Sequence, residues 1–130
     1  MTECELKSRL KKMAIRVIRL VNSLPGGVAA GVLGKQLVRS ATSVAANYYL
    51  ACKARSKADF LNKLGIVEEE ADETQLWIEL LAESQIVRYE RMKALLEEVQ
   101  EITAIVAASR ITMRSRLKPK SSTAQSKTAN

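Results

Sequence analysis

The chain has 130 residues, enough for one domain with a hydrophobic core, and only 4% of them are aromatic. Lysine and arginine outnumber aspartate and glutamate by 21 to 14, and the sequence contains no histidine. This composition excludes Ser-His and Cys-His nucleophile pairs, histidine zinc sites and the Glu-x-x-His motif of di-iron bundles. The sequence also lacks a glycine-rich phosphate loop followed by Lys-Ser or Lys-Thr. We therefore predict a protein that is not an enzyme and that uses no metal or other cofactor.

The sequence also predicts a compartment. No apolar run reaches the ~18 residues that a membrane span requires. The first residues, MTECELKSRLKK, lack the apolar block of a secretory signal. Cys4 and Cys52 lie far apart without a CxxC motif, which favours two small, buried hydrophobic residues over a disulfide or redox pair. We expect a cytoplasmic protein that does not bind a membrane.

The first predicted helix covers residues 2–24. Thr2 and Glu5 have the spacing of a capping box, and a heptad seam follows at Leu6, Leu10, Met13, Val17, Leu20 and Leu24. Pro25-Gly26-Gly27 ends this helix. A second helix is predicted for residues 28–54, with its seam at Leu37, Ala41, Val44, Tyr48 and Ala51. Gly31 and Gly34 either weaken its first turns or permit close helix approach.

The third predicted helix covers residues 57–83, with Ser56 as its N-cap. Its seam residues are Phe60, Leu64, Val67, Ala71, Thr74, Ile78 and Leu81. The boundary after Glu83 is soft, because no glycine or proline enforces a break. A fourth helix is predicted for residues 88–116, with its seam at Met92, Leu95, Val99, Ile102 and Val106. Residues 118–130 are too polar to bury surface and are predicted to be a short, disordered basic tail.

Four amphipathic helices with short connections predict an all-α fold, an antiparallel up-down-up-down four-helix bundle over residues 1–117. In this topology the start of the first helix and the end of the fourth lie at the same end. Residues 1–27 hold six basic residues against two acidic ones, and residues 110–130 hold six basic residues and no acidic one. We predict an electropositive end that contacts phosphates of RNA or DNA. The alternative is a set of solvated surface charges. The candidate contacts are Lys7, Arg9, Lys11, Lys12, Arg16, Arg110, Arg114, Arg116, Lys118 and Lys120.

Aromatic residues that would stack on bases are few. Tyr48, Tyr49, Trp77 and Tyr89 lie mostly on helices that are predicted to pack. Base-specific recognition is therefore not expected, and any nucleic-acid contact should depend on phosphates, shape and salt concentration.

Polar residues of the second helix form a stripe beside its apolar seam. Folding the second and third helices about residue 55 or 56 places Arg39 opposite acidic residues and Asn47 near Lys63. We predict a partly buried polar ladder that fixes helix register or subunit pairing. Its predicted members are Arg39, Ser43, Asn47, Lys63, Glu69, Asp72 and Glu73. The acidic run of residues 68–73 spreads around a helix, so we interpret it as a solvated face and not as a metal site.

Two segments carry a resemblance to a known family: RSATSVAANY (39–48) and ARSKADFLNKLGIVEEEADETQLWIELL (54–81). They resemble the bacterial four-helix bundle family, also known as the 23S rRNA intervening-sequence protein family. The resemblance implies a left-handed up-down bundle that assembles into a ring-like homopentamer, with no known enzymatic activity. A related branch comprises the accessory variability proteins of diversity-generating retroelements, which bind a reverse transcriptase and its template RNA. Many family members have Asn-Ile-Ala-Glu-Gly where this chain has NYYLA at 47–51. Roles of that glutamate and glycine therefore do not transfer.

Apolar residues outside the main seams predict a homo-oligomer, because one bundle core does not absorb all of them. These residues are Ile15, Ile18, Val21, Leu96 and Ile105. We therefore predict a non-enzymatic oligomer that binds RNA through basic surfaces without base specificity. The alternative is a protein-interaction scaffold, or an accessory subunit of a reverse transcriptase, whose partner docks on the ring.

Overall fold

The structure, a computed structural model, describes residues 1–117. They form four helices: α1 (Glu3–Asn22), α2 (Val28–Ala51), α3 (Lys57–Glu83) and α4 (Tyr89–Leu117). The all-α prediction is confirmed. The predicted second helix continues to residue 54, but α2 ends at Ala51. The backbone after Ala51 forms turns of the 3₁₀ type, because the N–H groups of Lys53 and Ala54 donate to carbonyls three residues earlier. The predicted tail, residues 118–130, lies outside the described residues.

Local hydrogen bonds fix the helix starts as the sequence predicts. The Glu5 N–H donates to Thr2 Oγ1 at 3.0 Å, and the Thr2 N–H donates to Glu5 Oε2 at 3.0 Å, which completes a capping box. At α3, Ser56 Oγ accepts the Asp59 N–H at 3.0 Å. The residue immediately before α2 is Gly27. Its φ of 130° is a backbone conformation that glycine adopts readily and that residues with a Cβ rarely adopt.

The helix ends after Glu83, at the boundary that no glycine or proline marks in the sequence. Gln85 has φ of 64°, and the Val87 N–H donates to the Leu81 carbonyl at 3.1 Å. The left-handed residue thus replaces the glycine that ends many helices. Val87 is buried and anchors the turn on the core.

The predicted seams form one core. Their members are fully or nearly fully buried, apart from Leu24 and Phe60, which are partly buried against the same core. The largest side chains with almost no exposed surface are Leu10, Met13, Leu37, Leu64, Ile78, Leu81, Met92 and Ile102. Burying a side chain of this size contributes about 1.5–3 kcal/mol, so these seams supply the main stabilisation of the bundle.

Contacts between helices show that neighbouring helices are antiparallel. Between α3 and α4, Gln75 Nε2 donates to Thr103 Oγ1 at 2.9 Å, and Arg110 Nε donates to Glu68 Oε1 at 2.8 Å. Residue numbers therefore rise along α3 as they fall along α4. The first and fourth helices are also antiparallel, since Arg9 on α1 meets Glu98 on α4, and Ser23 after α1 meets Arg91 near the start of α4. The up-down-up-down prediction is consistent with all these pairs.

The two glycines of α2 have different surroundings. A Cβ at residue 34 would lie 3.0 Å from Leu24 Cδ1 and 3.1 Å from Val21 Cγ1, so Gly34 permits close approach of α1 to α2. A Cβ at residue 31 would meet nothing within 4 Å. The close-approach explanation therefore applies to Gly34 and not to Gly31.

Candidate nucleic-acid interface

The starts of α1 and α3 and the ends of α2 and α4 meet at one end of the bundle. Met1, Tyr48, Phe60 and Arg116 all line one shallow cavity of about 410 Å³ there. The two basic segments singled out in the sequence therefore converge as far as residue 117. This convergence depends on the antiparallel topology, which returns α4 to the level at which α1 begins.

Exposed basic side chains surround this end. We call this set the basic end. Lys7 is half-buried, and the other five members are exposed: Lys53, Arg55, Lys57, Arg114 and Arg116. The sequence prediction missed three of them, Lys53 and Arg55 in the α2–α3 turn and Lys57 at the start of α3. The topological argument that joined the two termini applies equally to this turn, so its KARSK sequence was an available signal.

Two of the predicted contact residues hold carboxylates inside the bundle. Arg9 donates from Nε and Nη2 to the two carboxylate oxygens of Glu98, both at 2.8 Å, and also pairs with Glu101 at 3.0 Å. Its side chain is 21% exposed. These hydrogen bonds raise the pKa of Arg9, and the bond from Arg9 is the main cause that lowers the pKa of Glu98. Arg9 therefore ties α1 to α4, and a phosphate could bind Arg9 only by displacing Glu98 and Glu101.

Arg110 has the same role between α4 and α3. It donates to Glu68 from Nε at 2.8 Å and from Nη2 at 3.2 Å. The hydrogen bond to Glu68 raises the pKa of Arg110. Arg110 is therefore engaged within the bundle, whereas Arg114 and Arg116, one and two turns later, are exposed.

The other predicted contacts lie along α1 or beyond the described residues. Lys11, Lys12 and Arg16 are exposed. Arg16 lines a cleft with Arg19 and Arg91, toward the opposite end of the bundle. Lys118 and Lys120 lie outside the described residues. Lys7, Arg114 and Arg116 thus lie toward one end of the bundle but line three different clefts, and the cleft of Arg114 also holds Glu69 and Asp72. Arg16 lies apart from them.

The polar ladder has a different set of partners from the predicted one. Arg39 pairs with Glu73, donates from Nη1 to Glu70 Oε2 at 3.3 Å and donates from Nε to Gln36 at 2.9 Å. Of the three predicted carboxylates, Glu73 contacts Arg39. Glu69 and Asp72 are exposed and line a cleft on the α4 side of α3. Consecutive side chains point about 100° apart around a helix axis. Glu70 therefore faces α2, whereas the neighbouring Glu69 does not.

The remaining predicted rungs bond within their own helices. Asn47 Nδ2 donates to the Ser43 carbonyl and to Ser43 Oγ, both at 2.9 Å. Lys63 Nζ donates to Asp59 Oδ1 at 2.7 Å. Asn47 and Lys63 therefore find partners one turn away instead of each other.

A buried pair that the prediction missed connects α2 to α3. Thr74 Oγ1 lies 2.9 Å from Ser40 Oγ, and neither residue has exposed surface. Above it, burial raises the pKa of Glu70, but hydrogen bonds with Ser43 and Glu73 and the charge of Arg39 outweigh burial and lower it overall. The ladder is thus an ionic surface cluster over one buried hydroxyl pair.

The family profile of the 23S rRNA-intervening sequence protein matches residues 3–108. This chain belongs to that family. A crystal structure of a protein of unknown function from the S23 ribosomal protein family, from Bacteroides thetaiotaomicron, resembles this chain with a TM-score of 0.78. The two are 33% identical, and the match covers 85% of this chain and 98% of that chain. Among curated proteins, none matches it.

Metal-binding clusters and membrane-spanning helices are both absent from the described part of the chain. Within residues 1–117, no cluster of three or more histidine, cysteine, aspartate or glutamate residues is placed to hold a metal ion. No helix in the same range has the length and hydropathy to cross a membrane. Both cysteines are free thiols, but Cys4 is exposed, so the predicted burial is wrong for this residue. Cys52 is half-buried, and its burial raises the pKa of the thiol. The relation to accessory variability proteins and the cytoplasmic location stay predictions.

Proposed function

We propose that this protein is a non-enzymatic RNA-binding protein whose basic end contacts phosphate groups without reading the bases. The observation that carries the proposal is the convergence of exposed basic side chains from α1, the α2–α3 turn and α4. DNA offers the same phosphates, so the proposal concerns the backbone and predicts little discrimination by sequence.

The charge pattern inside the bundle supports this assignment. Arg9, Arg39, Lys63 and Arg110 each have a carboxylate within ion-pair distance. Within the described residues, no member of the basic end has such a partner. Basic side chains without carboxylates are the ones whose counterions a phosphate backbone would release.

Four substitutions to glutamine at the basic end test the proposal: Lys53, Lys57, Arg114 and Arg116. Binding of a labelled RNA is measured by fluorescence anisotropy at several salt concentrations. Each phosphate contact contributes about 0.7–0.9 to the slope of log K against log salt, so the slope should become shallower by about 3. The wild-type protein, with about six contacts, should lose roughly two to three orders of magnitude in affinity between about 50 and 200 mM salt.

A matched control removes the same charge from the opposite end. Its four substitutions to glutamine are at the exposed residues Arg19, Lys35, Arg88 and Lys93. This variant should keep a slope close to that of the wild type. Equal losses in the two variants would mean that RNA responds only to net charge, and the proposed interface would be abandoned.

We also propose that the protein is a homo-oligomer, with a pentamer as the state that its family resemblance implies. Apolar side chains flank the Arg39–Glu73 pair on the outer face of α2 and α3. Val32 lies two turns before Arg39, and the others lie one to two turns from Glu73. Val32, Ile66, Leu76 and Leu80 are 55%, 39%, 46% and 39% exposed. An apolar face of this kind around a fixed ion pair supports subunit contact.

Only part of the apolar set predicted for oligomerisation supports this proposal. Ile15 and Ile18 are 38% and 39% exposed, whereas Val21, Leu96 and Ile105 pack partly against the core. The test is the mass by light scattering of Leu76→Glu with Leu80→Glu. Dissociation is expected, and Ile111→Glu, on α4 away from this face, is the control that should leave the mass unchanged.

The alternative is a scaffold or an accessory subunit of a reverse transcriptase. The same apolar face of α2 and α3 favours it, since a different protein would bury that surface as well as a second copy would. A monomeric wild-type mass, together with co-purification of a reverse transcriptase encoded by an adjacent gene, would favour the scaffold over the oligomer.

A further inference from the structure

A groove of about 650 Å³ runs between α1 and α2 beside the basic end. Alanines form its floor, because Ala14 on α1 and Ala45 and Ala46 on α2 leave room between the helices. Ile15 and Ile18 form its apolar wall. The volume falls within the roughly 300–1,000 Å³ of small-molecule sites.

Tyr49 lies at the cationic end of this groove. Its side chain is 50% exposed, unlike that of Tyr48, which is buried in the core. Lys7 Nζ lies 5.1 Å from the centre of the Tyr49 ring, and Lys53 Nζ lies 4.5 Å from it. Lys11 also lines the groove. A hydrogen bond donated by Lys53, together with the positive charge of Lys53, lowers the pKa of the Tyr49 phenol.

These lysines come from two helices and meet at one aromatic ring. Within residues 1–117, neither Lys7 nor Lys53 has a carboxylate at ion-pair distance. The groove therefore combines a half-exposed ring, positive charge and an apolar floor. Both ammonium groups lie over the ring, so a base stacks on it by displacing one of them toward its own phosphate. A nucleotide has the complementary parts, since its base is a flat apolar surface and its phosphate is an anion.

We propose that this groove binds one unstacked nucleotide of single-stranded RNA, with the base against the Tyr49 ring and the phosphates against Lys7, Lys11 and Lys53. The inference rests on the proposed RNA binding and deepens it by naming the form of RNA. A duplex keeps its bases stacked inside, so it offers phosphates to the lysines but no base to the ring. Stacking accepts every base, which agrees with binding that does not read sequence.

The test compares two labelled RNAs, an unstructured single strand of twelve uridines and a hairpin duplex of similar length, each at several salt concentrations. Tyr49→Leu removes the ring and keeps an apolar side chain. It should weaken binding of the single strand by about tenfold or more, weaken the hairpin less than about twofold, and leave the salt slope unchanged. Tyr49→Phe keeps the ring and should bind the single strand like the wild type.

Tyr89→Leu is the matched control, since Tyr89 is 51% exposed at the start of α4. It should bind both RNAs like the wild type. Equal weakening of both RNAs by Tyr49→Leu would overturn the inference. A change of oligomer mass in Tyr49→Leu would also overturn it, because the groove would then hold a second copy of the chain.

The inference and the proposed function fail in different ways. If neutralising the basic end weakens binding while Tyr49→Leu does not, only the nucleotide groove is wrong. If the wild-type protein binds neither RNA at low salt, the proposed function is wrong, and the groove inference is overturned with it.

Discussion

Adding one methyl group at Gly34 probes how closely α1 and α2 pack. The new Cβ would lie 3.0 Å from Leu24 Cδ1 and 3.1 Å from Val21 Cγ1, closer than an ordinary van der Waals contact. Alanine within a helix is favoured over glycine by about 0.5–1 kcal/mol, because it loses less backbone entropy on folding. Overpacking costs about 1–3 kcal/mol, and mobile side-chain methyls place this site in the lower part of that range. We expect Gly34→Ala to lower the free energy of unfolding by about 0.5–1 kcal/mol.

Gly31→Ala is the matched control, one turn earlier in the same helix. Its Cβ would meet nothing within 4 Å, so only the entropy gain remains. We expect it to raise the free energy of unfolding by about 0.5–1 kcal/mol, which separates the two variants by about 1–2 kcal/mol. The assay is urea unfolding followed by circular dichroism at one protein concentration, since oligomerisation would make stability concentration-dependent. If Gly34→Ala stabilises the protein as much as Gly31→Ala, then α1 and α2 do not pack closely at Gly34.

Three further predictions concern polar contacts. A double-mutant cycle of Arg9→Gln and Glu98→Gln should give a coupling free energy of about 1 kcal/mol in urea unfolding, because the pair is bidentate but partly exposed; additive effects would show that the pair is not formed. The pKa of Glu98 is lowered in the folded state, so its contribution is present above the ordinary value of 4.5 and is lost as pH falls below it. The wild type should therefore lose more stability than Glu98→Gln between about pH 5 and pH 3, and parallel pH profiles would contradict this reasoning. Thr74→Val should lower the free energy of unfolding by about 1 kcal/mol, because it removes the buried hydroxyl partner of Ser40. The control Thr112→Val, at an exposed position, should leave the free energy of unfolding unchanged. Equal effects of the two substitutions would count against the buried pair.

The seams were predictable because helical periodicity is a local property of the chain. Leu10, Val17 and Val99 are fully buried as their spacing indicates. The short α3–α4 connection was predictable only in part. No glycine or proline announces the break, and the left-handed backbone at Gln85 is held by the burial of Val87 against the core. Such a turn depends on tertiary contacts that the local sequence does not reveal.

The candidate interface was predictable to a similar degree. Topology alone predicts that the starts and ends of helices meet, and the cavity that Met1 and Arg116 both line agrees with this. The same reasoning did not distinguish an arginine that faces a carboxylate from one that faces solvent. Arg9 and Arg110 are clamped by Glu98 and Glu68, although their sequence surroundings resemble those of exposed basic residues.

The sequence by itself determined that this protein is a bundle of four helices, which residues face its core and which end is rich in basic residues. Those properties follow from the 3.6-residue period and from the order of the helices along the chain. Only the tertiary structure decided that Arg39 pairs with Glu70 and Glu73, and that Lys7 and Lys53 meet at Tyr49. The reason is that a partner across two helices depends on their relative rotation, and one residue along a helix turns a side chain by 100°.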